Sequence, residues 1–402
     1  MFNTVSDLEA GQRLLVRIDV NAPVEDGRAQ DTRRFARHAD SIDRLLADDH
    51  AVVLLAHQGR PGRDSFISLE SHADVLANHL DQVVQFVPDT HGEAALEAVD
   101  ALEAGEVLLL ENVRMCDDEL PEKAPEEHAE SEFVRSLAPH VDAYVNDAYS
   151  AAHRAHASLV GFPLVCPAYA GPVMEAEYTA NSSIQDREFD GPVTMVLGGT
   201  KAEDLIPVIE GVEDTVDRFC LGGIVGELFL RAAGHDVGHD VDGTAFFDHQ
   251  WDTHAETIET ILERYADRLH LASDLACEGD DGERAEVAVE GLEKDTSYLD
   301  VGSDSADRYA DLVRESEAVF VKGALGVFED ERFATGTVRV LEAIAETDCF
   351  SVVGGGDTSR AIGMYGLDEA DFGHVSIAGG AYVKALTGDS LVGVDVLERV
   401  AR

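Results

Sequence analysis

The sequence predicts an α/β fold with parallel sheets, divided into two domains. Three observations carry this. Short apolar runs alternate with longer amphipathic stretches along the whole chain. Most of those runs end near Gly, Asp or Asn. A stretch spaced by glycine and proline, 161–172, separates two halves whose residues suit different chemistry.

The runs 14–18, 51–56, 107–110, 143–145, 193–197, 318–321 and 350–353 are mostly apolar, with Val, Leu or Ile prominent. Strands buried on both faces of a sheet have this composition. Helical patterns fill the gaps at 36–48, 69–80, 127–138, 202–212, 253–268, 306–316 and 336–347. Such alternation places helices on both faces of each sheet. Residues 173–178 start a connecting helix, and 182–192, polar and without a core pattern, suit a surface connection. One domain is expected over 1–167 and another over 168–385. No internal repeat or low-complexity tract is evident.

The chain has 402 residues, 80 acidic against 30 basic, for a formal charge of −50. Its 45% hydrophobic content excludes a disordered acidic tail. The length fits two or three domains. Nucleic acid is excluded as a partner, because phosphate binding needs a basic surface. An anionic membrane is disfavoured for the same reason. Of the basic residues 25 are Arg and five are Lys: Lys123, Lys201, Lys294, Lys322 and Lys384. Acid excess with scarce Lys points to a very salty cytoplasm, where screening removes most repulsion between surface carboxylates. No Asp-x-Asp-x-Asp-Gly loop followed by Glu supports the alternative, an acidic protein held by calcium. Cys116, Cys166, Cys220, Cys277 and Cys349 are far apart and form no Cys-x-x-Cys, as expected of reduced thiols in a cytosol. Asp7 and Glu9 stand where a signal peptide would be basic and then apolar. No apolar run approaches the roughly 18 residues of a membrane span. A cytoplasmic location is expected.

The first half collects polar and basic residues at strand ends. Asp19 and Asn21 follow the first run, and Arg33 and Arg34 follow a polar turn. His57-Gln-Gly-Arg60 follows the second run, Glu111-Asn-Val-Arg114 the third, and Asn146-Asp147 with His153-Arg154-Ala-His156 the fourth. Ligands of open α/β sheets bind beyond the carboxyl ends of strands. A lone Arg there is ordinarily a surface ion-pair partner, and a lone His is ordinarily structural. His153-x-x-His156 lacks a third ligand for a metal. Four successive strand ends with such groups instead predict a cationic pocket for a small, multiply charged anion, matched by the planar fork of Arg.

The second half carries glycine-rich turns: Gly198-Gly199-Thr-Lys201, Gly222-Gly223, Lys322-Gly-Ala-Leu-Gly326, Gly354-Gly355-Gly356-Asp357-Thr358 and Gly379-Gly380. Glycine lets backbone N–H groups approach an anion, and a following helix N-terminus favours negative charge. One such turn can be tight packing alone; five in one domain favour a nucleotide polyphosphate. Neither the Walker A spacing nor Gly-x-Gly-x-x-Gly occurs, against a P-loop NTPase and a Rossmann dehydrogenase. Asp357 can hold Mg²⁺ or cap a helix. Glu329 can meet ribose hydroxyls or simply face solvent.

These landmarks, in this order, resemble the phosphoglycerate kinase family from about Arg13 to Gly388. The most specific are Arg17-Ile-Asp-Val-Asn-Ala-Pro23, His57-Gln-Gly-Arg-Pro61, Leu110-Glu-Asn-Val-Arg114, Val145-Asn-Asp-Ala-Tyr-Ser-Ala-Ala-His-Arg-Ala-His156, Gly198-Gly-Thr-Lys201, Gly326-Val-Phe-Glu329 and Gly354-Gly-Gly-Asp-Thr358. The resemblance implies two Rossmann-like three-layer αβα domains facing across a cleft, joined by a hinge helix, with 386–402 packing back on the first. It implies a substrate set for 3-phosphoglycerate or 1,3-bisphosphoglycerate: Asp19, Val20, Asn21, Arg34, His57, Gln58, Gly59, Arg60, Arg114 and Arg154. Its nucleotide set for ATP or ADP is Gly198, Gly199, Lys201, Gly222, Lys322, Glu329, Gly355, Gly356, Asp357 and Thr358, with Mg²⁺ on Asp357 through the nucleotide. Arg34, favoured over Arg33 by its spacing from Asp19 and His57, and Lys201 are the implied catalytic residues. A monomer is expected.

The implied reaction is 1,3-bisphosphoglycerate plus ADP giving 3-phosphoglycerate plus ATP, by in-line transfer without a general base, after closure about 161–178. Three positions depart from the family pattern. Leu205 replaces a second lysine found in many members, Lys322 replaces an Asn, and Ile377-Ala-Gly-Gly380 stands where the family has Thr-Gly-Gly-Gly. Lys322 is expected to replace part of the charge missing at Leu205. One rival is another acid kinase making an acyl phosphate, which would lack the His57, Arg60, Arg114 and Arg154 set. The other is a non-catalytic, salt-adapted binding protein, which would not need Arg34, Lys201 and Asp357.

Overall fold

The computed structural model describes residues 2–238 and 246–401. These form two compact units: residues up to Thr179 joined by Asp389 onward, and Ala180–Gly388.

The first unit is a parallel sheet of β1 (Arg13–Arg17), β2 (Ala51–Leu55), β3 (Val84–Val87), β4 (Val107–Leu110), β5 (Ala143–Asn146) and β6 (Ala168–Ala170). Its order is β3-β4-β2-β1-β5-β6, with Leu14 opposite both Val52 and Ala143. The β1 residues Leu14, Leu15 and Val16 are fully buried, as a strand covered on both faces requires. Its helices are α1 (Arg33–Ala47), α2 (Glu70–Leu80), α3 (Glu93–Ala101), α4 (Pro125–Ala129), α5 (Glu132–Leu137) and α6 (Ala157–Val160). Phe35, His38, Ala39, Ile42 and Leu45 make the buried stripe of α1 at helical spacing.

The structure departs from three expectations. The single helix expected over 127–138 is two, because Ser131 caps the second: its Oγ accepts from Val134 N–H at 3.4 Å. The 161–172 stretch is not a linker, since β6 pairs with β5 and so extends the first sheet. The units part inside α7 (Pro172–Asp186), between Thr179 and Ala180. The surface connection expected at 182–192 therefore begins as helix, and within it Ile184 is fully buried.

The second unit has a parallel sheet of β7 (Val193–Leu197), β8 (Arg218–Leu221) and β9 (Leu269–His270), which later strands complete. An antiparallel sheet of β10 (Asp274–Glu278), β11 (Arg284–Ala288) and β12 (Tyr298–Val301) is inserted after β9. Strands β13 (Ala318–Lys322), β14 (Phe350–Gly354) and β15 (His374–Val375) finish the parallel sheet, whose order is β9-β8-β7-β13-β14-β15. The helices are α8 (Ala202–Gly211), α9 (Gly223–Ala232), α10 (Phe246–Arg264), α11 (Ser303–Arg314), α12 (Thr335–Ala345), α13 (Gly356–Met364) and α14 (Gly380–Leu386). Helix α10 starts earlier than the expected 253–268 because Phe247 and Gln250 are buried, and Gln250 Oε1 accepts from Ala202 N–H at 3.0 Å at the start of α8. The last helix, α15 (Val392–Val400), belongs to the first unit, where Gly393 N–H donates to the Ala152 carbonyl at 2.8 Å. Among the described residues no helix is long and apolar enough to cross a membrane.

Candidate active site

Strands β4, β2, β1 and β5 lie side by side, so their carboxyl ends deliver one continuous set of side chains. Asp19, after β1, is 3% exposed. Its Oδ2 accepts from Arg34 at 2.9 Å and from Ser150 Oγ, and its Oδ1 accepts from Asn21 N–H at 3.0 Å. Burial alone would raise the Asp19 carboxyl. The Arg34 charge and these hydrogen bonds outweigh that and hold it far below the usual carboxylate range. Asn21 Oδ1 accepts from Gly59 N–H at 2.8 Å, which ties the loop after β1 to the loop after β2. Arg114, after β4, donates to the Gly59 carbonyl and so joins the third loop.

Arg60, Pro61, Arg114, His153, Arg154 and His156 are among the residues lining a cavity of about 560 Å³. The cations are crowded. Burial, then Arg154 and Arg17, pull Arg114 down to about 10. Arg154 is lowered by burial and by Arg60, Arg17 and Arg34, with Asp19 acting against them. An anion entering here relieves that repulsion.

His57 sits within this group and is 4% exposed. Arg17 donates to its Nδ1 at 3.0 Å, so the ring proton is on Nε2. Burial, with further lowering by Arg17, Arg114 and Arg154, keeps the imidazole neutral well below its ordinary value, against the pull of Asp19.

In the second unit β8, β7, β13 and β14 are adjacent and end in the glycine turns. The glycines have two different uses. A Cβ on Gly198 would meet the Ala324 carbonyl oxygen at 2.1 Å, and one on Gly323 would meet the Gly198 carbonyl oxygen at 2.2 Å. A Cβ on Gly222 would meet Leu325 Cδ2 at 2.6 Å. These glycines allow one turn to pack on another. Gly199 and Gly355, at φ +103° and +106°, instead hold left-handed backbone; a Cβ on Gly355 would make only ordinary contacts, at 3.8 Å from Thr358 Oγ1 and 3.9 Å from Gly323 N, and nothing lies within 4 Å of one on Gly199 or Gly356. Gly355 precedes α13, whose first turn carries Asp357. Lys201 stands at the start of α8 and is exposed. Lys322, at the end of β13, is lowered by burial and Lys201 but supported by Asp204 and Asp357. Lys201, Lys322 and Asp357 therefore share one electrostatic neighbourhood. Leu205 is 2% exposed and faces the core.

A cavity of about 460 Å³ opens on these turns, lined by Gly199, Gly223, Glu329, Asp357 and a larger apolar set that includes Ile224, Leu275, Leu325 and Phe328. The family model described as phosphoglycerate kinase matches residues 5–389. The chain belongs to the phosphoglycerate kinase family. It is 67% identical to the phosphoglycerate kinase of Halorubrum lacusprofundi, covering 100% of this chain and 98% of that one. Identity to the Haloarcula marismortui enzyme is 61%, over 99% of this chain and 100% of that one. Both relatives come from halophilic archaea. The crystal structure of phosphoglycerate kinase from Pyrococcus horikoshii OT3 superposes with a TM-score of 0.92 at 31% identity, covering 100% of this chain and 99% of that one.

Not every residue in the implied family sets presents its side chain to a cavity. Val20 is fully buried in the apolar core of the first unit. The Gln58 amide is also fully buried. It donates to the Ala22 and Ser65 carbonyls at 2.9 and 3.1 Å, and its oxygen accepts from Ala22 N–H at 2.9 Å. Thr358 is 1% exposed, and its hydroxyl donates to the Gly354 carbonyl at 3.3 Å. Glu329 is exposed and accepts from Arg360 at 3.0 Å.

Four supporting residues were not singled out by motif reading. Arg17 is wholly buried beneath His57, and it donates to Ser158 Oγ at 2.9 Å. Ser158 donates in turn to the buried Glu119. His38 bridges Asp19 N–H and Asp147 Oδ2 at 3.1 Å each, while Asp147 Oδ1 accepts from Val173 and Met174 N–H at the start of α7. His38 carried a signal, since it lies on the apolar stripe of α1 where a polar residue needs a partner.

Proposed function

We propose that this chain transfers a phosphoryl group reversibly between 1,3-bisphosphoglycerate and ADP, giving 3-phosphoglycerate and ATP. The observation that carries this reading is the crowd of arginines at four adjacent strand ends. Arg114 and Arg154 are kept near one another against their mutual repulsion. That arrangement suits a small, multiply charged anion.

Arg60, Arg114 and Arg154 hold the phosphate that is not transferred. The neutral His57 joins those arginines at that phosphate, and Asp19 and Asn21 bind the hydroxyl and carboxyl end of the glycerate. Gln58 and Gly59 shape the loop that carries Arg60. Arg34, fixed on Asp19, meets the moving phosphoryl group from the acid side, and Lys201 meets it from the nucleotide side. Gly199, Gly355 and Gly356 offer backbone N–H groups to the nucleotide phosphates, Lys322 adds charge there, and Glu329 takes the ribose.

Asp357 makes no side-chain hydrogen bond or close ion pair among the described residues, and it lines the cavity of the second unit. One free hard-oxygen donor fits Mg²⁺ whose other ligands are phosphate oxygens and water. Bound there, the ion would neutralise phosphate charge.

The nucleophile is a phosphate oxygen of ADP in one direction and the substrate carboxylate in the other. Both are ionised at neutral pH, so no general base is required. Positioning and charge neutralisation accelerate such transfers. The two ligands belong to different units, so closure of one unit on the other is part of the proposed cycle. A coupled assay at molar KCl with ATP should show turnover with 3-phosphoglycerate and none with acetate or aspartate. Turnover with acetate or aspartate alone would overturn the assignment.

A further inference from the structure

The nucleotide cavity contains an acid that the reaction does not use. Glu227 lies on α9, one turn after Gly223, and lines the cavity. It is 8% exposed, yet it makes no hydrogen bond or ion pair among the described residues. A buried carboxyl without a partner is costly, and the cost falls when a ligand supplies the missing hydrogen bonds.

We propose that Glu227 reads the nucleobase: its carboxyl oxygen accepts from the exocyclic amine of adenine, and its O–H donates to the adjacent ring nitrogen. This deepens the nucleotide reading above and rests on it. The apolar lining, including Ile224, Leu275, Leu325 and Phe328, suits a flat heterocycle. On both of its amine-bearing edges adenine presents a donor beside an acceptor, which a neutral carboxylic acid matches bidentately. Guanine places a carbonyl oxygen where adenine has its amine. An ionised carboxylate instead matches the two adjacent N–H donors of guanine. The protonation state of Glu227 therefore sets which purine is preferred.

Burial pushes Glu227 up to about 8, and no neighbouring charge contributes. The other titratable groups lining the cavity are Tyr298, Asp300, Glu329 and Asp357. Asp300 is raised to about 6, mainly by burial, and pairs with Arg284 at 3.0 Å. Tyr298 is raised above its ordinary value by burial, and Glu329 pairs with Arg360 at 3.0 Å. On α10, packed against α9, Asp248 is paired with Arg231 at 3.1 Å. Between about pH 7 and pH 8.8, Glu227 changes charge while Asp300 is already ionised.

The test is kcat/KM for ATP and for GTP, with 3-phosphoglycerate, at about pH 7 and pH 8.8. Titration of the nucleotide phosphates cancels in the ratio. In the unsubstituted enzyme the ATP-to-GTP ratio should fall about fivefold as the neutral acid is lost. In Glu227→Gln, whose amide keeps one acceptor and one donor, the ratio should stay high at both pH values. In Glu227→Leu it should fall about tenfold at pH 7, as two hydrogen bonds are removed. An unchanged ratio in Glu227→Leu, or the same pH dependence in the unsubstituted enzyme and Glu227→Gln, overturns the proposal alone. If Glu227→Leu does not fold, the Glu227→Gln profile still decides. No turnover with either nucleotide in the unsubstituted enzyme overturns the nucleotide reading and this proposal with it.

Discussion

Arg17→Met probes the layer beneath the anion site. Arg17 is fully buried and donates to Ser158 Oγ at 2.9 Å, to His57 Nδ1 at 3.0 Å and to the Ile18 carbonyl. Methionine fills much of the same space and supplies no donor. Each buried acceptor left without a donor costs about 1–3 kcal/mol. Ser158 keeps its 2.7 Å bonds to Glu119, and His57 can change tautomer, so the full cost falls mainly on the Ile18 carbonyl. Glu119 also loses the nearby cation. Relief of the repulsion that Arg17 exerts on Arg114 and Arg154 offsets part of this. The expected loss is about 2–3 kcal/mol at neutral pH, a large share of a normal 5–15 kcal/mol stability. The pH dependence has a definite sign. Burial would raise the Glu119 carboxyl, but His156, Arg17 and Ser158 together hold it below its ordinary value. A depressed acid contributes stability above its unfolded pKa and loses it as pH falls through the folded value. The deficit of Arg17→Met should therefore be full at pH 7 and shrink below about pH 4. Urea unfolding at constant molar KCl, with Glu119→Gln and the double variant completing a cycle, measures it. A coupling energy of about 1–3 kcal/mol is expected. A single-variant loss under about 0.5 kcal/mol, or simple additivity, would refute the reasoning.

Arg34→Ala should lower kcat by about 10²–10³, the usual effect of removing one charge-stabilising donor, with only a modest rise in KM for 3-phosphoglycerate; near-normal kcat rejects the assignment. Lys322→Ala should raise KM for ATP about five- to tenfold, as expected for one charged hydrogen-bond donor. Unchanged KM and kcat would show that Lys322 does not replace the missing lysine. Restoring lysine at Leu205 in that background should not rescue it, because the site is 2% exposed and faces the core. Thermal stability should rise steeply with KCl, since 80 acidic residues face 30 basic ones; a melting temperature independent of KCl would reject the salt reading.

The strands legible in the sequence were those buried throughout, such as β1, β2, β4 and β7, where apolar runs leave little ambiguity. Most of the missed ones are short or half-exposed; β10, buried at four of its five positions, was hidden because the acids Asp274 and Glu278 bound a run of only three apolar residues. Strands β9 and β15 have two residues each, and Arg284–Ala288 carries four charged or small side chains facing outward or partly so. The polar groups at strand ends were legible because each follows a clear apolar run. Arg17 and Glu119 were not, because burial is set by neighbours far along the chain: Arg17 meets Ser158 across 141 positions. Glu227 was hidden for a similar reason. In an acid-rich chain, one more Glu on a helix carries no signal until its environment is known.

The glycine turns illustrate how one residue type serves two ends. Counting five of them pointed to a phosphate cradle, yet Gly198, Gly222 and Gly323 are needed first to let turns approach one another. That close packing sets Gly199 and the start of α13 at the cavity. The same economy governs charge. A chain of net charge −50 can attract anions only if its few cations are kept together and away from carboxylates. Around Arg114 and Arg154 the neighbouring charges are mostly other arginines, with Asp19 and Glu119 the opposing acids. Asp19 is bound to Arg34, and Glu119 is held by Ser158 and His156. Both acids are thus committed within the protein, which leaves the arginine cluster a net positive field where a phosphate would sit.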